Sequence, residues 1–180
     1  MYLRLSRRYT KMTTSYIFCT TVNAVERSLQ TLHEADFLVV DCEGRELGTR
    51  NGSLSTIAIG TSERSEIFVF DAVVLSHAAL APVLELLSDP NVTKIVWDGR
   101  MDFLEIFHTY GRRIENALDM QIVEIMSRQR RGETELRRIR NYLRPYVVLP
   151  WKEEYEGIKI VVGMNRCLEE QGLEGKDRAC

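Results

Sequence analysis

The chain has 180 residues, 44% of them apolar and 28% charged, with a formal net charge of −2. This composition suits one globular domain and excludes a disordered or fibrous chain. The near-neutral balance also excludes a polycation that holds nucleic acid through its overall field, so any such contact must be local. No apolar run is long enough to span a membrane, and a soluble protein is expected.

Arg4, Arg7, Arg8 and Lys11 precede the first acid, Glu26. The opening "MYLRLSRRYTKMTTSY" has the composition of a mitochondrial presequence, and equally of an N-terminal extension in which Met12 is the true start. Residues 1–15 are therefore read as a basic extension. The expected location is intracellular, cytoplasmic or nuclear, with the mitochondrion as the alternative. Cys19, Cys42, Cys167 and Cys180 form no CxxC and no Cys/His cluster. That excludes a zinc module or a disulfide scaffold and points to thiols in a reducing compartment.

In chain order, "YIFCTT" predicts a strand. "VNAVERSLQTLHEA" predicts a helix with Val25, Leu29 and Leu32 on one face and Thr20, Thr21 or Asn23 as its cap. "FLVVDC" predicts an apolar strand, and the turn-rich "EGRELGTRNGS" leads into the strand "LSTIAIG", followed by "IFVFDA". Three strands joined by short polar connections predict a meander. "HAALAPVLELLSDP" predicts a helix stopped at Asp89 and Pro90, and "TKIVW" a buried strand. "RMDFLEIFHTYG" predicts a helix ending at Gly111, "IENAL" a connection, and "DMQIVEIMSRQRR" a further helix. Strands followed by strand–helix alternation give the expected fold class: α/β, a mixed sheet flanked by helices.

"RQRRGETELRRIRNYLR" is either a track for a phosphate backbone or a solvated face. "PYVVLPWKEEYEGIKIVVG" reads as a loop or insertion in which Trp151 and Tyr155 either stack on bases or pack locally, before a last helix around "MNRCLEEQ". His33, His77 and His108 stand apart from any nucleophile pattern, and the "GTRNGS" loop lacks the spacing of a phosphate-binding P-loop.

Asp41 and Glu43 stand directly behind the apolar run of "FLVVDCEG". If the strand reaches them, its period of two points both carboxylates the same way, and something positive must offset their repulsion. A divalent cation with oxygen ligands meets that need. If the strand stops short, the two acids lie in water. A second element bears on the choice: "KIVWDGRMD" runs a strand into a helix with Asp98 and Asp102 four apart, on one face if both are helical. Acids gathered outside strand ends can hold metals for in-line displacement at phosphorus, with two ions roughly 3.5–4 Å apart.

"FLVVDCEG…LSTIAIG…IFVFDA" and "KIVWDGRMDFLEIFHTYGRRIENALDMQIVEI" together resemble the first two motifs of the DEDD 3′–5′ exonucleases, of the RNase D, Werner and Egalitarian type, across residues 16–126. The resemblance implies a ribonuclease H-like fold and hydrolysis of terminal phosphodiesters of RNA or single-stranded DNA to nucleoside 5′-monophosphates. It also implies a two-metal site of Mg2+ or Mn2+ held by Asp41, Glu43 and Asp102, with Glu43 orienting water as well. Asp98 and Trp97 stand where relatives carry asparagine and histidine, and Asp119 where a structural hydrogen-bonding aspartate is expected. The third motif, Tyr-x3-Asp or His-x4-Asp, is absent: the one aspartate after Asp119 is Asp177, with no Tyr or His at either offset. Residues 16–180 are accordingly expected to form an exonuclease-like domain that is incomplete at its C-terminal end. A fold retained for RNA binding without catalysis is the alternative function.

Overall fold

The computed structural model describes residues 14–62, 64–134 and 159–172. The chain divides into two compact units, Met1–Leu118 and Asp119–Cys180.

Six strands form one sheet: β1 (Ser15–Cys19), β2 (Phe37–Arg45), β3 (Ser53–Thr61), β4 (Glu66–Asp71), β5 (Thr93–Val96) and β6 (Ala117–Asp119), in the order β1-β4-β3-β2-β5-β6. More and less buried side chains alternate along β2, β4 and β5, whereas the edge strands β1 and β6 are mostly exposed. β2–β3 and β3–β4 are antiparallel, whereas β1–β4 and β2–β5 are parallel, so the sheet is mixed as expected. Cys42 lies opposite Ile57, and Ile57 opposite Phe70; Val40, Ile59 and Phe68 form the next row. All six are buried. Residues directly opposite one another share a sheet face, so these rows form one continuous apolar surface.

Helices α1 (Val22–Leu32), α2 (His77–Ser88) and α3 (Arg100–Tyr110) complete the core. Val25, Leu29 and Leu32 of α1, Leu80, Val83, Leu84 and Leu87 of α2, and Ile106 of α3 join the same cluster as the sheet residues. Of the three expected caps on α1, Thr21 is the one used: its Oγ1 accepts from the Ala24 N–H at 3.3 Å. α2 ends at Ser88 because Asp89, which precedes Pro90, is driven to extended backbone (φ −72°, ψ 117°). The buried Lys94 ammonium then ties down the turn, donating to the carbonyls of Asp89 and Val92, each at 2.7 Å.

Three expectations are corrected. β2 does not stop at Cys42 but continues to Arg45, because Ser53 and Leu54 pair with Arg45 and Gly44 beyond a register shift at Glu43/Gly44. Asp41 and Glu43 are therefore within the strand, not past its end. The stretch "IENAL", expected to be a simple connection, delivers β6, whose start is tied by the Lys94 N–H donating to the Asn116 carbonyl at 3.0 Å. Asp98 lies ahead of α3, which begins at Arg100, so Asp98 and Asp102 are not one helical turn apart.

The second unit contains α4 (Met120–Arg130) and α5 (Met164–Glu170), the latter at the expected "MNRCLEEQ". Asp119 caps α4, accepting from the Gln121 N–H at 2.9 Å. Arg128, the first residue of the arginine-rich stretch, neither faces water nor is open to phosphate. It is fully buried, with Nε 2.7 Å from Glu124 Oε1 and Nη2 donating to the Ile160 carbonyl at 2.6 Å. The basic N-terminal residues up to 13, Arg137, Arg138, Arg140, Arg144, Trp151, Tyr155 and Asp177 lie outside the described residues.

A Cβ on Gly44 would collide with the Ser53 carbonyl oxygen and lie 2.6 Å from Leu47 Cδ2. The backbone oxygen is held by strand pairing and cannot yield. Gly44→Ala is expected to lower stability by about 2 kcal/mol in urea denaturation, with an unchanged m-value.

Candidate active site

β2 presents its side chains alternately: Leu38, Val40 and Cys42 inward, Val39, Asp41 and Glu43 outward. Asp41 and Glu43 therefore share an open face, as the D-x-E spacing requires within a strand. Their cross-strand neighbours on β3 are small, Ala58 opposite Asp41 and Thr56 opposite Glu43, which leaves the carboxylates uncovered from that side. Asp71 continues the Glu43–Thr56 row on β4. Its Oδ1 is already engaged by the N–H groups of Val73 and Val74, at 2.9 and 3.0 Å, so it serves the turn into α2.

Asp102 arrives from α3, as that helix's third residue. Its carboxyl is pushed up from 3.8 to about 6, first by partial burial and then by the negative charges of Asp41, Glu43 and Asp98. The buried Cys42 thiol is raised too, by burial first and then by Asp102, Asp41, Glu105 and Glu43. Asp41 and Glu43 act on both groups, which puts these acids within electrostatic reach of Asp102 and Cys42. Cys42 is thereby held as an inert thiol, not a nucleophile.

Among the described residues, no basic side chain forms an ion pair with Asp41, Glu43 or Asp102. Arg100, close by in sequence, is engaged by Asp98 through Nε at 2.6 Å and Nη2 at 3.1 Å. Asp98 itself takes a left-handed backbone (φ 55°), the turn that carries β5 into α3. Nor, among the described residues, do three His, Cys, Asp or Glu side chains draw together closely enough to hold a metal ion. The donors thus fit a hard divalent cation in kind, being all oxygen, and in sign, being an excess of negative charge, while standing apart from a closed cage. The histidines contribute nothing here: His77 packs on Tyr110 with ring centroids 4.7 Å apart, and His108 on Phe107 at 5.8 Å.

Sequence reasoning passed over Glu105. It is buried on α3, where Oε2 accepts from the Gly48 N–H at 2.9 Å and Oε1 from the Thr109 hydroxyl at 2.9 Å. Two signals were available: Thr109 four residues on, and glycines at 44, 48 and 52, a spacing that lets a loop lie close against another backbone.

The folded protein binds the Asp102 proton more tightly than the unfolded chain does. The stability this contributes is present below pH 3.8 and is lost as pH rises through about 6. At neutral pH the ionised carboxylate therefore destabilises the metal-free fold. Asp102→Asn is expected to raise the urea-unfolding free energy in chelator, and to do so at least twice as much at pH 7.5 as at pH 4.5.

Residues 16–144 match the 3′-5′ exonuclease domain family. No curated protein matches the chain at the sequence level. Among solved structures, the Trypanosoma brucei RNase D complex with RNA U12 superposes with a TM-score of 0.56 at 22% identity, over 62% of this chain and 39% of that one. The Aedes aegypti Nibbler EXO domain gives 0.57 at 12% identity, over 86% and 68%. The EXD2 exonuclease domain soaked in Mn gives 0.51 at 18%, over 65% and 60%. The chain thus spans about two fifths of the length of the trypanosomal RNase D structure. The match covers the mixed six-stranded sheet, the D-x-E pair in β2 and the aspartate at the start of the helix after β5, and the chain belongs to the 3′–5′ exonuclease domain family.

Proposed function

We propose that this chain is a metal-dependent 3′–5′ exonuclease acting on single-stranded nucleic acid, with RNA as the first substrate to test. The observation that carries the reading is the placing of Asp41 and Glu43 on one open face of β2 within electrostatic reach of Asp102, with no basic side chain paired to any of the three among the described residues. Such a cluster binds a proton or a cation, and at neutral pH a divalent cation is the better match. Among proteins of this fold, one RNase D is known in complex with RNA, and the EXD2 exonuclease domain was soaked in Mn, which supports the choice of substrate and of cation.

Asp41, Glu43 and Asp102 would hold Mg2+ or Mn2+. The bound ions supply neutralisation of charge on the phosphoryl group and a lowered pKa for attacking water. Glu43, the further along β2 of its two acids, would orient that water toward phosphorus. A bond forms between the water oxygen and phosphorus as the bond from phosphorus to the preceding 3′-oxygen breaks. The water's proton is released, the leaving 3′-oxygen is protonated, and a nucleoside 5′-monophosphate departs. The small Ala58 and Thr56 beside the carboxylates leave room for the terminal nucleotide.

A second reading has its own observation. No aspartate after Asp119 carries a Tyr or His at the third-motif offsets. A site short of that acid would bind a 3′ end and cleave it slowly or not at all, making the chain an RNA-binding module.

The test is digestion of 5′-labelled single-stranded RNA and DNA with Mn2+, with chelator, and with Asp41→Ala. A ladder shortening from the 3′ end, abolished by chelator and reduced at least 100-fold by the substitution, is expected. An intact oligonucleotide that is nonetheless shifted in a gel supports the binding module. An oligonucleotide neither cut nor bound overturns both.

A further inference from the structure

The loop between β2 and β3 is pressed against the first turn of α3, backbone to backbone. A Cβ on Gly48 would lie 2.9 Å from the Met101 carbonyl oxygen and 3.1 Å from Met101 Cα, and Gly48 adopts a left-handed backbone (φ 70°). A Cβ on Gly52 would lie 2.5 Å from Glu105 Oε2 and 2.6 Å from the Glu46 carbonyl oxygen. The loop therefore wraps the Glu105 carboxylate. It follows directly from Asp41 and Glu43, and Met101 directly precedes Asp102, so this contact fixes the separation between the two parts of the carboxylate cluster.

Burying a carboxylate to join a loop to a helix is costly when an apolar contact would fill the same space. What the carboxylate adds is direction. One oxygen fixes the Gly48 N–H, and the other is held by the Thr109 hydroxyl a turn further along α3, so neither the loop nor the helix can slide along the other without losing a hydrogen bond.

We propose that Glu105 is a positioning residue: its carboxylate latches the β2–β3 loop to α3 and so sets the spacing of Asp102 from Asp41 and Glu43 for cation binding. This rests on the metal-site reading above and adds to it a determinant that touches neither ion nor substrate. Groups that orient ligands in this way are typically worth 10–100-fold in metal affinity.

Calorimetric titration of the full chain with Mn2+ is the test, on wild type, Glu105→Ala, Glu105→Gln and Asp41→Ala, with kcat and KM on the oligonucleotide alongside. Glu105→Ala is expected to weaken Mn2+ binding about tenfold or more and to lower kcat in step, with KM within twofold. Glu105→Gln keeps an acceptor for Gly48 and a donor for Thr109, and is expected to stay within about threefold of wild type. If Glu105→Ala melts below the assay temperature, Thr109→Val removes one of the two hydrogen bonds, and a threefold or greater fall in affinity is expected there. Unchanged Mn2+ affinity in Glu105→Ala, or in Thr109→Val where that variant stands in, overturns the latch, as does a Gln variant as damaged as Ala, which would make charge and not geometry the working property. In either case a lost affinity in Asp41→Ala leaves the metal site standing, whereas no effect of Asp41→Ala removes the metal site beneath it.

Discussion

The repulsion among Asp41, Glu43 and Asp102 is the interaction to which the rest of the first unit answers. A sheet does not ordinarily place two acids on one face of its central strand with a third within electrostatic reach on a helix, because nearby negative charge makes ionisation harder. Here the raised affinity of Asp102 for its proton and the raised Cys42 thiol come first from burial and then from the neighbouring negative charges. The fold can hold the cluster because the opposite face of β2 is fully committed to the core. Leu38, Val40 and Cys42 pin the strand from within, and a one-residue slip would bury both acids. Local destabilisation is thus carried by a core that permits no relaxation, a common arrangement at sites built to take a cation.

Bringing the two halves of the cluster together is a separate problem from building each. β2 and α3 are far apart in sequence, and the β2–β3 loop is pressed against α3 where Gly48 and Gly52 allow approaches that a side chain would prevent. Glycine alone permits closeness without choosing a distance. The buried Glu105, with one hydrogen bond to the loop and one within its own helix, supplies the choice. Strand pairing sets direction, glycine sets proximity and a buried carboxylate sets register.

Most of the sheet was legible in the sequence because β-branched and aromatic runs with turn residues between them encode strands locally. The helices at Val22, His77, Arg100 and Met164 were legible through periodicity and caps. Pairing was not legible, and the misreadings share that origin. The end of β2 is set by Ser53 and Leu54 opposite it, not by its own residues, so the strand runs past the apolar segment. β6 is three residues long and has no pattern of its own. Glu105, Glu124 and Arg128 carry charge, and charge in a sequence reads as exposure; only tertiary packing reveals that each is buried with its partners supplied. Of the proposed site, the shared face of Asp41 and Glu43 was readable from alternation, while the assignment of Asp102 beside them came from the family resemblance, since its distance from them is a tertiary fact. Membership of the exonuclease family, reached independently from the domain match, agrees with that resemblance.

The central claim is that Asp41, Glu43 and Asp102 form one cation site. The most direct measurement is paramagnetic line broadening in an isotope-labelled sample titrated with substoichiometric Mn2+. The account predicts that the amide signals of residues 41–43 and 101–103 broaden first and together, while those of α1 and β1 stay sharp, and that Mg2+ restores them. Broadening spread evenly over surface acids such as Glu26, Glu34 and Glu85, or confined to one half of the cluster, would contradict it.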